Sequence, residues 1–224
     1  MVDKTPQPTP IRKKIRSFSR NSELISERRD LIARTAVRLF AQNGYDRTSI
    51  REIASACGLN HATIYHYVGS KEDLMRLIVQ IGFAELAATS ISDIDLSGKV
   101  SATDNLRTAI RNQCRSLEKH FEMGIVTMRD ISWLPPDVRK TVLGGVSRGW
   151  ELFEAILRKG CETGEFEVDD VNFTARNIAL TCQSWVDRRW AYRKYYSLEA
   201  FIEKQTQFII NGIAARKKLP KGDL

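Results

Sequence analysis

The stretch from Thr48 to Lys71 constrains the fold more than any other part of the chain, since it has the pattern of two short helices joined by a tight turn. Ser49 followed by Glu52 has the form of a capping box at a helix start. Gly58 ends that helix, and Asn60 is a good N-cap for the next one. Apolar residues recur along one face of the first helix at Ile50, Ile53, Ala54 and Cys57. Together these features predict a helix-turn-helix, whose second helix enters the major groove of DNA.

The charge balance agrees with a polyanionic partner but does not establish one. Lys and Arg number 35 against 27 Asp and Glu, and the sequence pI is about 9.4. Six of these cations and only one acid lie in residues 1–20, a polar segment that also contains three prolines. We predict a flexible basic arm over residues 1–22, which either touches DNA phosphates or is simply a solvated tail.

The rest of the chain has helical periodicity and no alternating run of β-branched residues, so we predict an all-α protein. A helix-turn-helix domain spans residues 23–70 and begins with a buttress helix over about 22–43. A helical ligand-binding and dimerisation domain spans residues 71–216, and a basic tail spans 217–224. Further helices are predicted over about 71–90, 104–121, 123–133, 136–163, 170–190 and 198–214, with a loop over 91–103.

Several functional classes are disfavoured by what the sequence lacks. The four cysteines stand far apart without a CxxC pair and the three histidines are scattered, so we expect no metal and interpret the cysteines as free, buried thiols in a reducing cytoplasm. No apolar run approaches about 20 residues, which argues against a membrane span. The absence of a nucleophile elbow and of a glycine-rich phosphate loop argues against an enzyme, and we expect no cofactor.

The run from Arg29 to Ile78 contains a characteristic series of residues: Phe40, Gly44, Thr48-Ser49, Ile53-Ala54, Gly58-Leu59, Thr63, Tyr65-His66-Tyr67, Ser70-Lys71 and Leu74. With these residues the run resembles the DNA-binding domain of the TetR family of bacterial transcriptional regulators. The helical remainder is similar to the regulatory domain of that family in its helix order and in Gly164-Glu165-Phe166 between two long helices.

The resemblance implies a three-helix DNA-binding domain followed by a helical domain that binds a ligand and dimerises. Members of this family usually repress transcription as dimers. A small molecule that enters the regulatory core shifts the linking helix and weakens operator binding.

Roles in DNA contact follow from the matched positions. Thr48 and Ser49 lie where the second helix of the family meets the DNA backbone, and Arg51 matches a position that can reach a base. An Arg fork can pair with a guanine edge, although solvated surface is the alternative for Arg51. The tyrosine hydroxyls and the Lys71 ammonium suit phosphate oxygens. The predicted DNA-contacting set is Thr48, Ser49, Arg51, Asn60, His61, Ala62, Thr63, Tyr65, Tyr67 and Lys71.

Aromatic and soft side chains gather in the helical remainder, and most of them are explained by a bundle core. A few are candidates to line an apolar pocket between helices. Basic residues beside aromatics in the run from Trp185 to Tyr192 are similar to the basic mouth of family members that sense fatty-acyl thioesters, although solvated helix charges are an alternative. The predicted ligand-binding set is Met128, Trp133, Trp150, Phe153, Cys182, Trp185 and Arg189.

The last two long helices, about 170–192 and 198–214, are predicted to form a four-helix dimer interface with twofold symmetry, which implies a near-palindromic operator. Our leading hypothesis is a ligand-responsive repressor released from its operator by a small apolar or acyl-thioester-like ligand. Two alternatives stay open: a helical protein–protein adaptor whose DNA-binding part is degenerate, and a transcriptional activator.

Overall fold

In a computed structural model of the chain, the backbone is described for residues 12–90 and 93–215, and the side chains for residues 23–82 and 93–215. These ranges contain helices and one isolated antiparallel bridge, between Phe166 and Ala214, but no strand, so the all-α prediction is confirmed. The helices are α1 (Arg12–Asn43), α2 (Ile50–Ala56), α3 (His61–Ile64), α4 (Lys71–Ser90), α5 (Ala102–Lys119), α6 (Phe121–Arg129), α7 (Pro136–Thr163), α8 (Val171–Asp187), α9 (Arg189–Tyr192) and α10 (Leu198–Ile213).

Helix α1 begins at Arg12, ten residues earlier than the predicted buttress helix, which corrects the predicted arm for residues 12–22. Those residues lack an apolar stripe but also lack Gly and Pro, and their Lys and Arg are good helix formers. Residues 1–11 of the predicted arm and the basic tail at 217–224 lie outside the described residues. The predicted helix over 170–190 is in fact two, because α8 ends at Asp187 and a separate short helix follows.

The chain divides into two compact units, Met1–Ile78 and Val79–Leu224, and the division falls within α4. The core of the first unit is built where α1, α2, α3 and the start of α4 each contribute apolar side chains. Tyr45 packs edge-on against the buried Phe40, with their ring centroids 5.1 Å apart. The fully buried residues of this core include Ile32, Phe40, Ile53, Ile64 and Leu74.

In the second unit α5 packs against α7, α8 and α10. The inward face of α5 repeats at three- and four-residue steps from Ala102 to Cys114, as the helical period requires. Trp185 on α8 is the largest fully buried side chain, and its ring lies 5.1 Å from that of Phe201 on α10. Apolar burial of this extent is the main source of the free energy that holds the four helices together.

Residues 164–167, which we call the helix-end junction, hold the ends of three helices. Gly164 adopts a left-handed φ of 74° and ends α7. The carboxylate of Glu165 accepts hydrogen bonds from the backbone N–H groups of Ala102 (2.9 Å) and Thr103 (3.0 Å), so it caps α5. The backbone N–H of Glu167 donates to the carbonyl of Ile213 at the end of α10 (2.8 Å).

Within the part of the chain that the structure describes, no helix is both long and apolar enough to cross a membrane, and no group of His, Cys, Asp or Glu is suited to a metal ion. All four cysteines are free thiols. Only Cys114 and Cys182 are buried, whereas Cys57 and Cys161 are partly exposed, which corrects the expectation that all four are buried.

The contact between Gly160 on α7 and Phe166 gives the first testable prediction. A Cβ at Gly160 would lie 2.0 Å from the buried Phe166 ring, whereas a Cβ at Gly149 in the same helix would meet nothing within 4 Å. We expect Gly160→Ala to lower the free energy of unfolding by about 1–3 kcal/mol through overpacking. Gly149→Ala should raise it by about 0.5–1 kcal/mol through helix propensity. Urea unfolding of both variants checks this, and equal stabilities would contradict the close contact.

Candidate functional site

The first residue of the helix-turn-helix surface is held by a capping box, as predicted. The Ser49 hydroxyl accepts from the backbone N–H of Glu52 (3.2 Å), and the Glu52 carboxylate accepts from the backbone N–H of Ser49 (2.7 Å). The hydrogen bonds from the Ser49 backbone and then from its hydroxyl lower the pKa of Glu52, because they favour the ionised carboxylate. Ser49 is exposed, but its hydroxyl is already used by the cap of α2.

Thr48 does not have the exposed side chain that a DNA contact requires. Only 1% of the residue is accessible, and its hydroxyl donates to the carbonyl of Gly44 at 2.8 Å. The side chain therefore closes the turn between α1 and α2 instead of facing outward, because a buried hydroxyl needs a partner that this carbonyl supplies. This corrects the predicted backbone-contacting role of the Thr48 side chain.

Helix α3 contains only four residues, and its two ends are fixed by different contacts. The Asn60 side chain accepts from the backbone N–H of Thr63 (2.7 Å) and caps the start. Ile64 is fully buried, as its apolar character predicts. After the helix, the Arg29 guanidinium on α1 donates through Nε to the carbonyl of Tyr67 (3.1 Å). No local spacing in the sequence indicates this contact, because it joins residues 38 positions apart.

Most of the other predicted DNA-contacting residues are accessible. The His61 and Tyr65 rings contact each other edge to face, with centroids 5.2 Å apart, so the two side chains restrict each other. Such mutual packing pre-organises polar groups before a partner arrives. The exposed members of the set are Ser49, Arg51, Asn60, His61, Ala62 and Tyr65, and the half-buried ones are Thr63, Tyr67 and Lys71.

Lys71, at the first position of α4, is held in place within the first unit. Its ammonium donates to the backbone carbonyl of Asp46 (3.1 Å) and lies 4.5 Å from the centroid of the Tyr45 ring. Burial lowers the pKa of Lys71, against the opposing effect of Asp46. Burial also raises the pKa of Tyr45 to about 12. The cation is therefore fixed beside the turn that precedes α2, with donor capacity left for an acceptor from outside.

The predicted ligand-binding residues divide into two groups. Phe153, Cys182 and Trp185 lie in the core cluster of the second unit, and Trp150 packs against that cluster. A hydrogen bond with Cys114 and then burial raise the pKa of Cys182, so its thiol stays protonated and apolar in character. Arg189 lies at the edge of the cluster, where its guanidinium lies 4.2 Å from the centroid of the Phe121 ring.

Met128 and Trp133 lie outside this cluster, and their place in a ligand pocket stays a prediction. Met128 is 46% exposed and Trp133 is 67% exposed. On α6 the inward positions are instead taken by residues that include Val126 and Thr127, which turns Met128 outward. In the turn after α6, Leu134 is buried while its neighbour Trp133 is not. The sequence pattern did not reveal this, because α6 ends at Arg129 and the helical period does not continue into the turn.

A carboxylate that sequence reasoning missed, Glu118 on α5, collects three donors. Its Oε2 accepts from the indole N–H of Trp185 (2.8 Å), and its Oε1 accepts from Arg189 (2.7 Å) and from Arg193. These partners stand 67 to 75 residues further along the chain, so no motif spacing could have found them. We call Glu118, Trp185, Arg189 and Arg193 the Glu118 cluster.

The Glu118 cluster leaves one buried donor unused. The Nε of Arg189 is inaccessible to solvent and has no hydrogen-bond acceptor among the described residues. An unsatisfied buried donor of this kind costs about 1–3 kcal/mol, so its presence calls for an explanation. Among the predicted ligand-binding residues, the structure thus brings Arg189 and Trp185 together around a shared carboxylate.

Two family models cover separate parts of the chain. Residues 32–78 match the model described as bacterial regulatory proteins, tetR family, and residues 99–194 match the model described as tetracyclin repressor-like, C-terminal domain. The first contains α2, α3 and the Glu52 capping box, and the second contains most of the core of the second unit.

Several transcriptional regulators are similar to this chain over most of their length. The HTH-type transcriptional regulator HbdR of Aromatoleum sp. (strain CIB) is 24% identical, with 92% of each chain covered. The HTH-type transcriptional repressor KstR2 of Rhodococcus jostii (strain RHA1) is 26% identical over 85% of this chain and 93% of its own. The crystal structure of AibR in complex with isovaleryl coenzyme A and operator DNA has the same fold, with a TM-score of 0.68 and 19% identity over 84% of this chain and 98% of AibR. With both parts matched by models of one family, the chain belongs to the TetR family and is a DNA-binding transcriptional regulator, not an enzyme.

Proposed function

We propose that this regulator is a repressor that binds a near-palindromic operator as a homodimer and is released by a small apolar or acyl-thioester effector. The observation that carries the proposal is the surface around α3, where polar side chains are exposed on a backbone fixed at both ends by Asn60, Ile64 and Arg29. A rigid, exposed segment of this kind meets DNA without first having to become ordered.

Within this surface we assign different tasks to different residues. Arg51 is exposed on α2 and contacts a base edge, for which the guanidinium fork is suited. Tyr65, Tyr67 and Lys71 contact phosphates, which position the protein without reading sequence. Ser49 contributes through its backbone position at the start of α2, since its hydroxyl is used in the cap.

An apolar effector with an acyl chain is supported by the composition of the second unit. Phe153 and Trp185 belong to a large apolar cluster, and the guanidinium of Arg189 lies at its edge. The relative KstR2 is named a repressor, and AibR, which has the same fold, was crystallised with isovaleryl coenzyme A and operator DNA. A ligand with an apolar acyl chain and a charged carrier group matches the apolar side chains of this cluster and the guanidinium at its edge.

For dimerisation we propose α8 and α10. Phe173 and Leu180 stand seven positions apart on α8, hence on one face, and are 67% and 60% exposed. Phe208 on α10 is 73% exposed. Large apolar side chains left exposed on adjacent helices favour a protein partner, and an isologous contact between two such helix pairs buries all of them at once.

The proposal is tested first by binding the protein to the DNA upstream of its own gene over a series of salt concentrations. We expect affinity above that for random duplex, with log K falling linearly in log salt. Lys71→Gln should weaken binding to both DNAs alike and reduce the slope by about one, because it removes a phosphate contact but keeps a donor for Asp46. Equal affinity for both DNAs would contradict specific regulation.

Arg51 provides a test of base reading. We expect Arg51→Ala to cost about 1–3 kcal/mol on the operator and to relax the preference at one base pair of each half-site. Lys140→Ala removes the same charge from an exposed position of the second unit and serves as the matched control. A competition assay with single-base operator variants measures the effect, and a loss of equal size on every sequence would assign Arg51 to the phosphates.

The dimer interface is tested by placing a charge on it. Leu180→Lys should shift the protein from dimer to monomer, because a desolvated ammonium without a partner is strongly unfavourable in an apolar contact. Leu143→Lys makes the same change at another exposed leucine, which is 54% accessible on α7, and should leave the protein dimeric. Sedimentation velocity reads the outcome, and a Leu180→Lys protein that remains dimeric would exclude α8 from the interface.

A further inference from the structure

The Glu118 cluster has more donors than its single carboxylate can satisfy. Two guanidinium groups, those of Arg189 and Arg193, share one oxygen of Glu118, while the indole of Trp185 uses the other. One of the two positive charges is therefore not neutralised within the cluster. The buried Nε of Arg189 is also left without an acceptor, so the site is short of both negative charge and acceptor atoms.

We infer that Arg189 and Arg193 form an anion-binding site which the Glu118 carboxylate occupies in the effector-free protein, and that the anionic group of the effector displaces it. This inference rests on the effector response proposed above for the second unit. The chemistry recognised is that of an oxyanion, either a phosphate or a carboxylate, since both match the planar fork of Arg.

The geometry around Arg189 suits a replaceable counter-ion. The ring of Phe121 lies under the guanidinium, 4.2 Å from its carbon, and holds the orientation of its plane. The side chains of Glu118 and Arg193 keep 24% and 48% of their accessible surface, so the cluster is reached from solvent. An incoming anion with several oxygens satisfies Arg193 and the Nε of Arg189 together, which one carboxylate shared with Trp185 does not.

Displacement of Glu118 has consequences for helix packing. Glu118 lies near the end of α5, whereas its partners lie on α8, on α9 and just after α9. Trp185 also packs against Phe201, so the indole connects the cluster to α10 as well. An anion that takes over the arginines removes three hydrogen bonds between α5 and these helices. Binding of the anionic group of the effector thereby changes the contacts between α5 and its neighbouring helices.

The test uses the full-length protein and the fluorescence of Trp185, isolated by subtracting the spectrum of the Trp185→Phe variant. Pyrophosphate and coenzyme A supply phosphate, and octanoate supplies carboxylate, each titrated at an ionic strength held constant with sodium chloride. We expect a saturable change in emission, because Trp185 loses its carboxylate partner. Saturation with the phosphate probes only, with octanoate only, or with both supports the site and identifies the oxyanion, whereas no saturation with any probe overturns it.

Variants separate an occupied anion site from a purely structural ion cluster. Glu118→Gln removes the internal anion but can still accept from Trp185, and should bind the effective probe about tenfold more tightly. Arg189→Lys keeps the charge but loses Nε and the fork, and should bind about tenfold more weakly. Arg188→Gln removes a charge from the adjacent residue, whose guanidinium donates to the Asp187 carbonyl (3.2 Å), and should bind as the wild type does.

Two further results would also overturn the inference. If Glu118→Gln binds the probe no better than wild type, Glu118 does not compete for the arginines. If Arg188→Gln weakens binding as much as Arg189→Lys, the response reports general positive charge. Operator binding by the same preparations distinguishes a failure of this inference from a failure of the proposed repressor function. Operator binding without any anion response contradicts only the anion site. An anion response without operator binding contradicts only the repressor function.

Discussion

The burial of Ile64 is the contact on which the surface that we propose for DNA binding depends. A four-residue helix has too few internal hydrogen bonds to persist in water, so α3 exists only because its last residue is fixed in the core of the first unit. The Asn60 cap satisfies the start of the helix, and Arg29 binds the carbonyl of Tyr67 beyond its end. The free energy that presents the polar side chains therefore comes from residues that do not face the partner.

In the second unit, too, the residues that stabilise the fold differ from those that we propose to respond to an effector. Its apolar core, centred on Trp185 and the helices around it, supplies most of the stabilising burial. The Glu118 cluster at the edge of that core adds little net stability, since desolvation of ion pairs offsets much of their attraction. A polar group that contributes little to folding can change partners at small cost to the fold, whereas Phe153 or Ile156 in the core cannot.

Features set by neighbouring residues were predictable from the sequence. The Ser49–Glu52 box, the Asn60 cap and the Gly164 stop each involve residues within a few positions of one another, and local rules were sufficient for them. The inward faces of α5 and α7 also followed from helical periodicity. Local sequence rules were therefore sufficient to predict the fold class and the helix-turn-helix.

The features that the sequence did not predict depend on contacts between distant parts of the chain or on side-chain orientation at helix ends. Arg29 reaches Tyr67 across 38 residues, and Glu118 meets Arg193 across 75. Thr48 has a side chain suited to DNA, but whether it faces inward depends on the Gly44 carbonyl being available. Trp133 faces outward because α6 stops at Arg129, and a hydrophobic pattern does not specify where a helix stops.

The helix-end junction at residues 164–167 restricts how the chain can vary in length. Its carboxylate caps α5, its backbone pairs with the end of α10, and the Phe166 ring covers Gly160 within contact distance. An inserted residue would move all three partners out of register at once. Over residues 96–101, by contrast, every side chain is exposed, so additional residues displace little buried structure. We therefore expect a peptide or reporter inserted before α5 to leave the fold intact, and the same insertion within residues 164–167 to disrupt it.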